Sequence, residues 1–491
     1  MWERKKWLPI AIFIYVVQLL LELFAGIKIA QLGMLPGKFL AVVYLLLVAM
    51  AAVTFVLLFL GTGHGPSKKR RVRRVVSVVL ALIMGIGSVF ATSVAGKVLQ
   101  TVDSVTEGNV LAVEGVYVLK SDSASKLKDA ANYTFGISND FDADNARSAV
   151  NTINDKLGKS ITVTESSTAT DNVDALYKGD VKAIIMNESY EKTLKKMDGY
   201  KDFNDKVKKI YEVKVTQKTT GGKDVTKDPF IVYISGSDTR SDILDTSRSD
   251  VNILMVVDPT TKQILLVNTP RDYYVENPAG NWAYDKLTHC GIYGVGCSEQ
   301  ALGNLYGCDI NYYAQINFTG FETLIDDIGG ITVESPQAFT ADGYTFTSGA
   351  NKLNGKQALA FARERHSFSG GDNVRGQNQM RVIEAVITQM TANGSKTLMN
   401  YGKILDSLSG TFMTDLSSQD IKALVKMQLN KNSSWNVVSY AVTGTGGMDT
   451  SYSMPNSQQY VMYQNKDSVA KASDLINKVE KGEKISDADA A

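Results

Sequence analysis

Three long apolar runs in the first hundred residues constrain this chain more than anything else in it. Trp7 to Ile27 is apolar apart from Gln18 and Glu22, while Phe39 to Leu60 and Val75 to Ala95 carry no charge. Each is long enough, as a helix, to cross a hydrocarbon core of about 30 Å. We therefore expect a membrane region of three transmembrane helices over residues 1–96. Arg4, Lys5 and Lys6 precede the first run, and Lys68-Lys69-Arg70-Arg71-Val72-Arg73-Arg74 separates the second from the third. The positive-inside rule places both clusters in the cytoplasm, which leaves everything after about residue 96 outside the cell. The first run is too long for the apolar part of a signal peptide, and no small-residue cleavage site follows it. Gln18 and Glu22 are expected to make polar contacts between helices. The basic loop suits anionic lipid headgroups better than nucleic acid.

Nearly 400 residues follow, enough for two extracellular domains. With 52 Lys and Arg against 51 Asp and Glu, the whole chain offers no net field for a polyanion, so function must reside in local clusters. Only three cysteines occur, Cys290, Cys297 and Cys308, which excludes a disulfide scaffold. An expected helix from Ser298 to Leu305 would hold Cys297 and Cys308 too far apart to bridge. Cys290 and Cys297 either close a small loop or pack as thiols. No Cys/His spacing suggests zinc, and no Gly-x-Ser-x-Gly elbow accompanies the scattered His64, His289 and His366.

From about Ser104 to Asp228, strand-like and helix-like pieces alternate. Thr134 to Ile137, Asn145 to Leu157, Ile161 to Thr164 and Ala183 to Met186 read as strand, helix, strand and strand, giving a small α/β accessory domain. Its charges are scattered and no chemistry converges in it, so a spacer or interaction role is the default. A turn-rich stretch, 218–228, leads into Phe230 to Ile234, the first strand of a second unit reaching about residue 480.

That unit holds the candidate chemistry. Its first strand ends in Ser235-Gly236-Ser237-Asp238, an acid placed where α/β folds bind ligands. Next come Ser247-Arg248-Ser249-Asp250, two β-branched runs (Val251 to Val257 and Ile264 to Asn268) around Asp258-Pro259-Thr260-Thr261-Lys262, then Thr269-Pro270-Arg271. The pattern predicts a β-hairpin. A hairpin brings the start of its first strand beside the end of its second, so Arg248 and Asp250 should meet Arg271 at a sheet edge. An acid between two arginines there suits a metal-bridged phosphate. Asp309 to Phe318 reads as a further strand and Phe321 to Ile328 as an amphipathic helix ending at Gly329-Gly330. Arg363 and Arg365 would share one face if their segment is extended. Asp372 suits the N-cap of a helix to about Met390, whose stripe of Val382, Ile383, Val386 and Met390 continues back to Gln379 and Arg375. Both should point inward, where an unpaired arginine is costly. An internal network with Asp372 or Glu364 would resolve that conflict, and so would a bound polyanion. Arginines converging from separate motifs favour phosphate, which guanidinium meets bidentately.

The motifs Gly-Ser-Asp238-Thr-Arg, Ser-Arg248-Ser-Asp250, Thr-Pro-Arg271-Asp, Asn-Gly-Lys-Gln-Ala-Leu-Ala-Phe-Ala-Arg363-Glu-Arg365 and Gly-Asp372-x-x-Arg375-Gly-Gln-x-Gln379 closely resemble the LytR-CpsA-Psr family over residues 230–392. The three apolar runs and the intervening small domain resemble its capsule-type members. The resemblance implies an α/β fold: the membrane helices, the accessory domain over 104–228, and an α/β/α sandwich with a mixed central sheet over 229–480. It implies a magnesium-dependent transferase that moves a phospho-glycan, such as a capsular polysaccharide or teichoic acid, from a polyprenyl-pyrophosphate carrier to peptidoglycan. Arg248, Arg271, Arg363, Arg365, Arg375 and Gln379 would hold the pyrophosphate. Asp238 and Asp250 would hold Mg²⁺, or Mn²⁺ in its place, and Asp372 is the candidate general base. A long apolar pocket should shelter the polyprenyl tail, with walls from Ile253 to Val257, Tyr312 to Phe318 and Phe321 to Ile328. Membrane lipid and the capsule or wall polymer machinery are the expected partners, and no nucleic acid is. Three other functions share these residues: a polyprenyl-pyrophosphate hydrolase, a capsule-assembly scaffold and a transcriptional attenuator. The topology argues against the last, because only short basic segments remain in the cytoplasm.

Overall fold

The apolar runs form three helices, α1 (Trp2–Gln31), α2 (Gly37–Phe55) and α3 (Ser67–Thr106). The computed structural model describes residues 2–60, 67–106, 110–139, 143–194, 199–216, 223–237, 248–368, 372–392, 404, 408, 411–431 and 433–491. The helical segments Trp7–Gln31, Gly37–Phe59 (α2 with the π-helical turn that follows it) and Arg71–Leu99 are long and apolar enough to span a membrane. The first and third helices outrun their apolar stretches at both ends, whereas α2 stops at Phe55 and the chain continues as a π-helical turn over Val56–Leu60. The polar pair of α1 makes the expected interhelical contact through one member. Gln18 donates to Glu22 within its own helix at 2.7 Å and to Thr54 of α2 at 3.1 Å. In a medium without water such a bond satisfies groups that would otherwise be stranded. The helix Ser418–Lys431 belongs to the same compact unit, with Ile421 and Val425 packed on Met34 and Val98.

The second compact unit contains two main sheets and four two-stranded ones. The first comprises β1 (Val110–Leu119), β2 (Thr134–Ser138), β3 (Thr162–Ser166), β4 (Ala183–Asn187) and β5 (Val207–Thr216), ordered β3-β2-β4-β1-β5. Helices α4 (Ala143–Leu157) and α5 (Ala169–Lys178) make the crossovers that its parallel pairs need. Ala146, Ala149 and Ile153, three and four apart, form the buried face of α4 against Phe135 and Ile137. Thr168 caps α5 by accepting from the Asp171 amide. Two short helices, α6 (Ser189–Leu194) and α7 (Phe203–Lys206), complete this part.

The second sheet is mixed, as expected. Its strands are β6 (Phe230–Ser237), β7 (Val251–Asp258), β8 (Gln263–Asn268), β11 (Tyr312–Asn317), β16 (Phe412–Thr414) and β17 (Asn436–Ala441), in the order β16-β11-β6-β7-β8-β17. β11 runs parallel to β6 and β17 to β8, while β7 is antiparallel to both its neighbours. Every residue of β8 is buried, the mark of a strand covered on both faces. Leu254, Val256, Leu265 and Val267 share a core with α9 (Val295–Tyr306), which follows the short α8 (Leu287–Cys290), and with the helix Lys466–Glu480. A separate core joins α10 (Phe318–Asp327), α11 (Gly355–Arg363) and α12 (Asp372–Ala392) with the hairpins β12–β15 (Ile331–Ser335, Gly349–Leu353) and β13–β14 (Phe339–Ala341, Tyr344–Phe346). Two further hairpins, β9–β10 (Tyr274–Asn277, Ala283–Lys286) and β18–β19 (Gly444–Ser451, Met454–Gln464), lie outside the main sheets.

Three element boundaries differ from expectation for identifiable reasons. β11 begins at Tyr312 rather than Asp309, because the Asn311 side chain accepts from the Ile231 amide. α10 begins at Phe318 rather than Phe321, because Asn317 caps it by accepting from the Gly320 amide at 2.9 Å. α9 begins at Val295, so Cys297 lies within the helix instead of ahead of it. Cys290 and Cys297 are fully buried, Cys308 is half-buried, and all three are free thiols.

Candidate functional site

A cavity of about 490 Å³ opens where β6 and β11 end and β7 begins. The hairpin delivers its first two charges. Gly236 brings β6 close to β7, since a Cβ there would lie 2.6 Å from Val251. The Asp250 amide donates to the Gly236 carbonyl at 2.9 Å. Ser249 beside it joins a buried hydroxyl network with Ser235 and Tyr233. At the end of β8, the Thr269 amide donates to Asn252, and Arg271 then donates from Nη1 to Asp250 Oδ1 at 2.5 Å. Both side chains of that pair are less than one fifth exposed, at 19% and 17%. Asp272 is engaged in turn by Lys286 at 2.5 Å.

Two helices supply the rest. Asn354 and Gln357 form a reciprocal capping box at the start of α11, which buries Phe361 and Ala362 and ends at Arg363. Arg363 is therefore helical, Glu364 is extended and a turn follows at His366 and Ser367, so the alternation expected for Arg363 and Arg365 does not hold. Both arginines nevertheless line the cavity. The Arg363 guanidinium lies 4.8 Å above the Phe318 ring and 3.8 Å from Asp342. Arg365 Nε donates to His366 Nε2 at 3.3 Å. On α12, Arg375 and Gln379 point inward and are 8% and 9% exposed. Gly376 lets that helix approach β8, because a Cβ would sit 2.1 Å from Asn268 Nδ2.

Asp250, Arg271, Arg363, Arg365, Arg375 and Gln379 thus meet around one cavity although they come from separate segments. Arg248 is exposed and is not part of the lining. Asp238 falls outside the described residues, and so does the side chain of Asp372, the first residue of α12. The apolar wall is built from Ile316, Phe318, Phe321, Leu359, Val382 and Ile383. Part of this was expected. Ile253 to Val257, however, lies in the sheet away from the lining, and α11 and α12 take its place.

Asn317, Asp342, Glu364 and His366 also line the cavity and escaped sequence reasoning as site residues. Asp342 occupies the left-handed turn of β13–β14, with φ 48°, and its Asp-Gly pair is a hairpin signal. That signal marks a turn but says nothing of where its side chain will sit. Four arginines and three carboxylates line the cavity together with the apolar side chains named above. Such a site can bind an anionic head group joined to a hydrocarbon chain.

Comparison with known proteins identifies the family. The model of the LytR_cpsA_psr family matches residues 184–471. The chain belongs to this family. The match is longer than the 230–392 that the motifs marked, starting inside β4. Among curated relatives of this LytR_cpsA_psr protein, the polyisoprenyl-teichoic acid–peptidoglycan teichoic acid transferase TagU of Enterococcus faecalis is 34% identical over 270 residues, covering 54% of this chain and 87% of that protein. The Bacillus licheniformis protein of the same name is 36% identical over 195 residues, covering 40% and 62%. Among solved structures, B. subtilis TagV is 24% identical with a TM-score of 0.43, over 53% of this chain and 99% of that one.

Proposed function

We propose that this cavity is the active site of a transferase that moves a phospho-glycan from a polyprenyl-pyrophosphate carrier to a hydroxyl of peptidoglycan. The observation that carries the reading is the convergence of Arg271, Arg363, Arg365 and Arg375 on one cavity whose lining also includes Ile316, Phe318, Phe321, Leu359, Val382 and Ile383. The relatives named above as teichoic acid transferases support it and favour teichoic acid or a similar wall polymer as the glycan. The orientation inferred from the basic clusters would set the site outside the cell, where peptidoglycan is.

Each arginine would donate to non-bridging pyrophosphate oxygens, with its planar fork matched to two of them at once. Asp250 fixes Arg271 in position through their 2.5 Å bond. The acceptor hydroxyl would attack the phosphorus that bears the glycan, and the bond from that phosphorus to the bridging oxygen would break. Polyprenyl phosphate leaves, its negative charge stabilised by the arginines. The hydroxyl proton would pass to Asp372. Among the described residues no three acidic, His or Cys side chains converge to form a metal cage. Magnesium bound to phosphate oxygens, however, needs only one or two protein carboxylates, and Asp250 would serve as one of them, with Asp238 as its expected companion. Bound there, the ion would supply further charge neutralisation on the pyrophosphate.

Lysine in place of Arg271, Arg363 or Arg375 keeps the charge and loses the fork, so transfer should fall by at least tenfold for each variant. The assay is the full chain in detergent with a polyprenyl-pyrophosphate glycan and a peptidoglycan oligomer. Full activity in all three variants overturns the assignment. Release of free glycan phosphate with no transfer to the oligomer assigns a hydrolase instead.

A further inference from the structure

A second polar depression lies at the other end of β11. The cavity described above is lined by Ile316 and Asn317, whereas a larger one, about 910 Å³, is lined by Asp309, Ile310 and Asn311. The strand between them separates the two by about 20 Å, at about 3.3 Å per residue. A third cavity, about 430 Å³, shares Trp282 and Gln300 with the larger one and takes in Asn139, Ser167 and Thr168 from the accessory part.

Trp282 at their junction is held in an unusual way. It has φ 65° and follows Asn281 at φ 52°, so two successive residues adopt the left-handed conformation that side chains other than glycine rarely take. Its amide donates to the Asn277 carbonyl at 2.9 Å, and its indole is left 44% exposed. Backbone strain of this kind clusters at binding sites, and here it holds a large aromatic ring out to solvent. Tyr452 lies beside it, 39% exposed, with its ring flat against Gly280, where a Cβ would be 2.6 Å away. Tyr284, 48% exposed, stacks on Tyr274 with centroids 5.1 Å apart. These rings rest on a rigid base. The Tyr452 amide donates to the Tyr284 carbonyl, and buried Asp285 accepts from the Ser453 amide and hydroxyl and from Asn277.

The chemistry of the lining selects the ligand. Among the described lining residues, Glu299, Asp309, Asp415 and Glu480 are accompanied by one cation, Lys223, and by no arginine, which disfavours polyanions and anionic lipid surfaces. Amides and hydroxyls (Asn139, Asn281, Gln300, Asn304, Ser167, Thr168) make up much of the remainder. Burial pushes the Asp415 carboxyl up to about 6, and burial with the Asp415 charge raises Glu299 well above its usual value, so charge on this part of the lining is held down. Flat aromatic faces beside neutral donors and acceptors complement a pyranose, whose C–H face stacks on rings while its hydroxyls take the hydrogen bonds.

We propose that the groove through Trp282, Gln300 and Tyr452 is a binding site for an uncharged oligosaccharide chain, formed jointly by the accessory part and the β9–β10 and β18–β19 turns. It is separate from the phosphate-binding cavity, and its test does not depend on the transferase reading.

The full chain in detergent is titrated with chitohexaose, cellohexaose and maltohexaose by calorimetry and by tryptophan fluorescence. At least one should bind saturably. Trp282→Ala should weaken it at least tenfold, Gln300→Ala and Gly280→Ala at least threefold, and Trp282→Phe less than Trp282→Ala. Inorganic pyrophosphate should not displace the sugar. Binding to none of the three overturns the proposal. So does unchanged affinity in both Trp282→Ala and Gln300→Ala, or displacement by pyrophosphate, which would put the sugar in the first cavity. Should Trp282→Ala fail to fold by circular dichroism, Gln300→Ala and Trp282→Phe decide. Binding to phosphatidylglycerol vesicles lost on Trp282→Ala, without sugar binding, overturns it in favour of a membrane contact.

Discussion

Two buried carboxylates show how the same residue type takes opposite electrostatic roles. Burial pushes the Asp285 carboxyl up, but the hydrogen bond and charge of His289 at 2.6 Å, with Ser453 and the Lys286 amide, override it and leave it below the usual value. A folded value below the unfolded one, about 3.9, contributes stability above about pH 4 that is lost as pH falls through the folded value. Asp285→Asn should therefore cost about 2–4 kcal/mol at pH 7, and the gap from wild type should narrow below pH 4 in denaturant titrations. A gap independent of pH would show that packing, not the ion pair, holds the two hairpins together. Asp415 is the reverse case. Its carboxyl accepts from the Tyr313 amide at 2.7 Å, yet burial pushes it up to about 6. The folded state then holds the proton more tightly than the unfolded chain, so its contribution falls as pH rises from about 4 to about 6. Asn at this position can keep the amide bond without ionising. Asp415→Asn should remove that slope and raise stability at pH 7 by about 2 kcal/mol. A variant less stable than wild type at pH 7 would count against the assignment.

At the scale of elements, what was legible in the sequence is what depends on neighbours in the chain. The β7–β8 hairpin could be read because its two β-branched runs flank a turn in which Asp258 accepts from the Thr260 and Thr261 amides. Its geometry then required Asp250 and Arg271 to meet. The inward direction of Arg375 and Gln379 followed from the stripe of α12 by period alone. What was not legible depends on distant chain. Nothing near Arg363 says that α11 persists through it, since that helix is held by packing of Phe361 and Ala362 into a core shared with α10 and α12. The cavity wall likewise passed from β7 to α11 and α12 because β7 is enclosed by the sheet. Gly376 links the two kinds of information. In sequence it is an ordinary weak point in a helix, but in the fold it is where α12 meets Asn268. Gly376→Ala should push α12 away from β8, cost about 1–3 kcal/mol through overpacking, and reduce any activity that needs Arg375 in place. Shortening the opposing side chain with Asn268→Ala should recover part of the loss, and a double-mutant cycle measures the coupling. Strictly additive effects would mean that the close approach does not position the helix.

For the whole molecule, the membrane part was the most legible, because length and hydropathy alone decide whether a helix can span. Orientation rests on a different quantity, the distribution of Lys and Arg. Arg4, Lys5 and Lys6 lie before the first span and six more cations at 68–74 lie between the second and third, while the segment between the first and second apolar runs carries two, Lys28 and Lys38. An odd number of crossings from a cytoplasmic start ends outside, which would put the cavity and the groove on the side of the cell wall. A protease-sensitive tag after Ala491 should be cleaved by added protease in intact spheroplasts, and a tag at residue 1 should be protected. Replacing Lys68, Lys69, Arg70, Arg71, Arg73 and Arg74 by Gln removes most of the bias, so a fraction of chains should then protect the C-terminal tag. Protection of that tag in the wild-type chain would reverse the orientation. A site built for a polyprenyl pyrophosphate would then face the cytoplasm, where there is no peptidoglycan to accept the glycan, and transfer to the wall would fail as its function even if every arginine proved to bind phosphate.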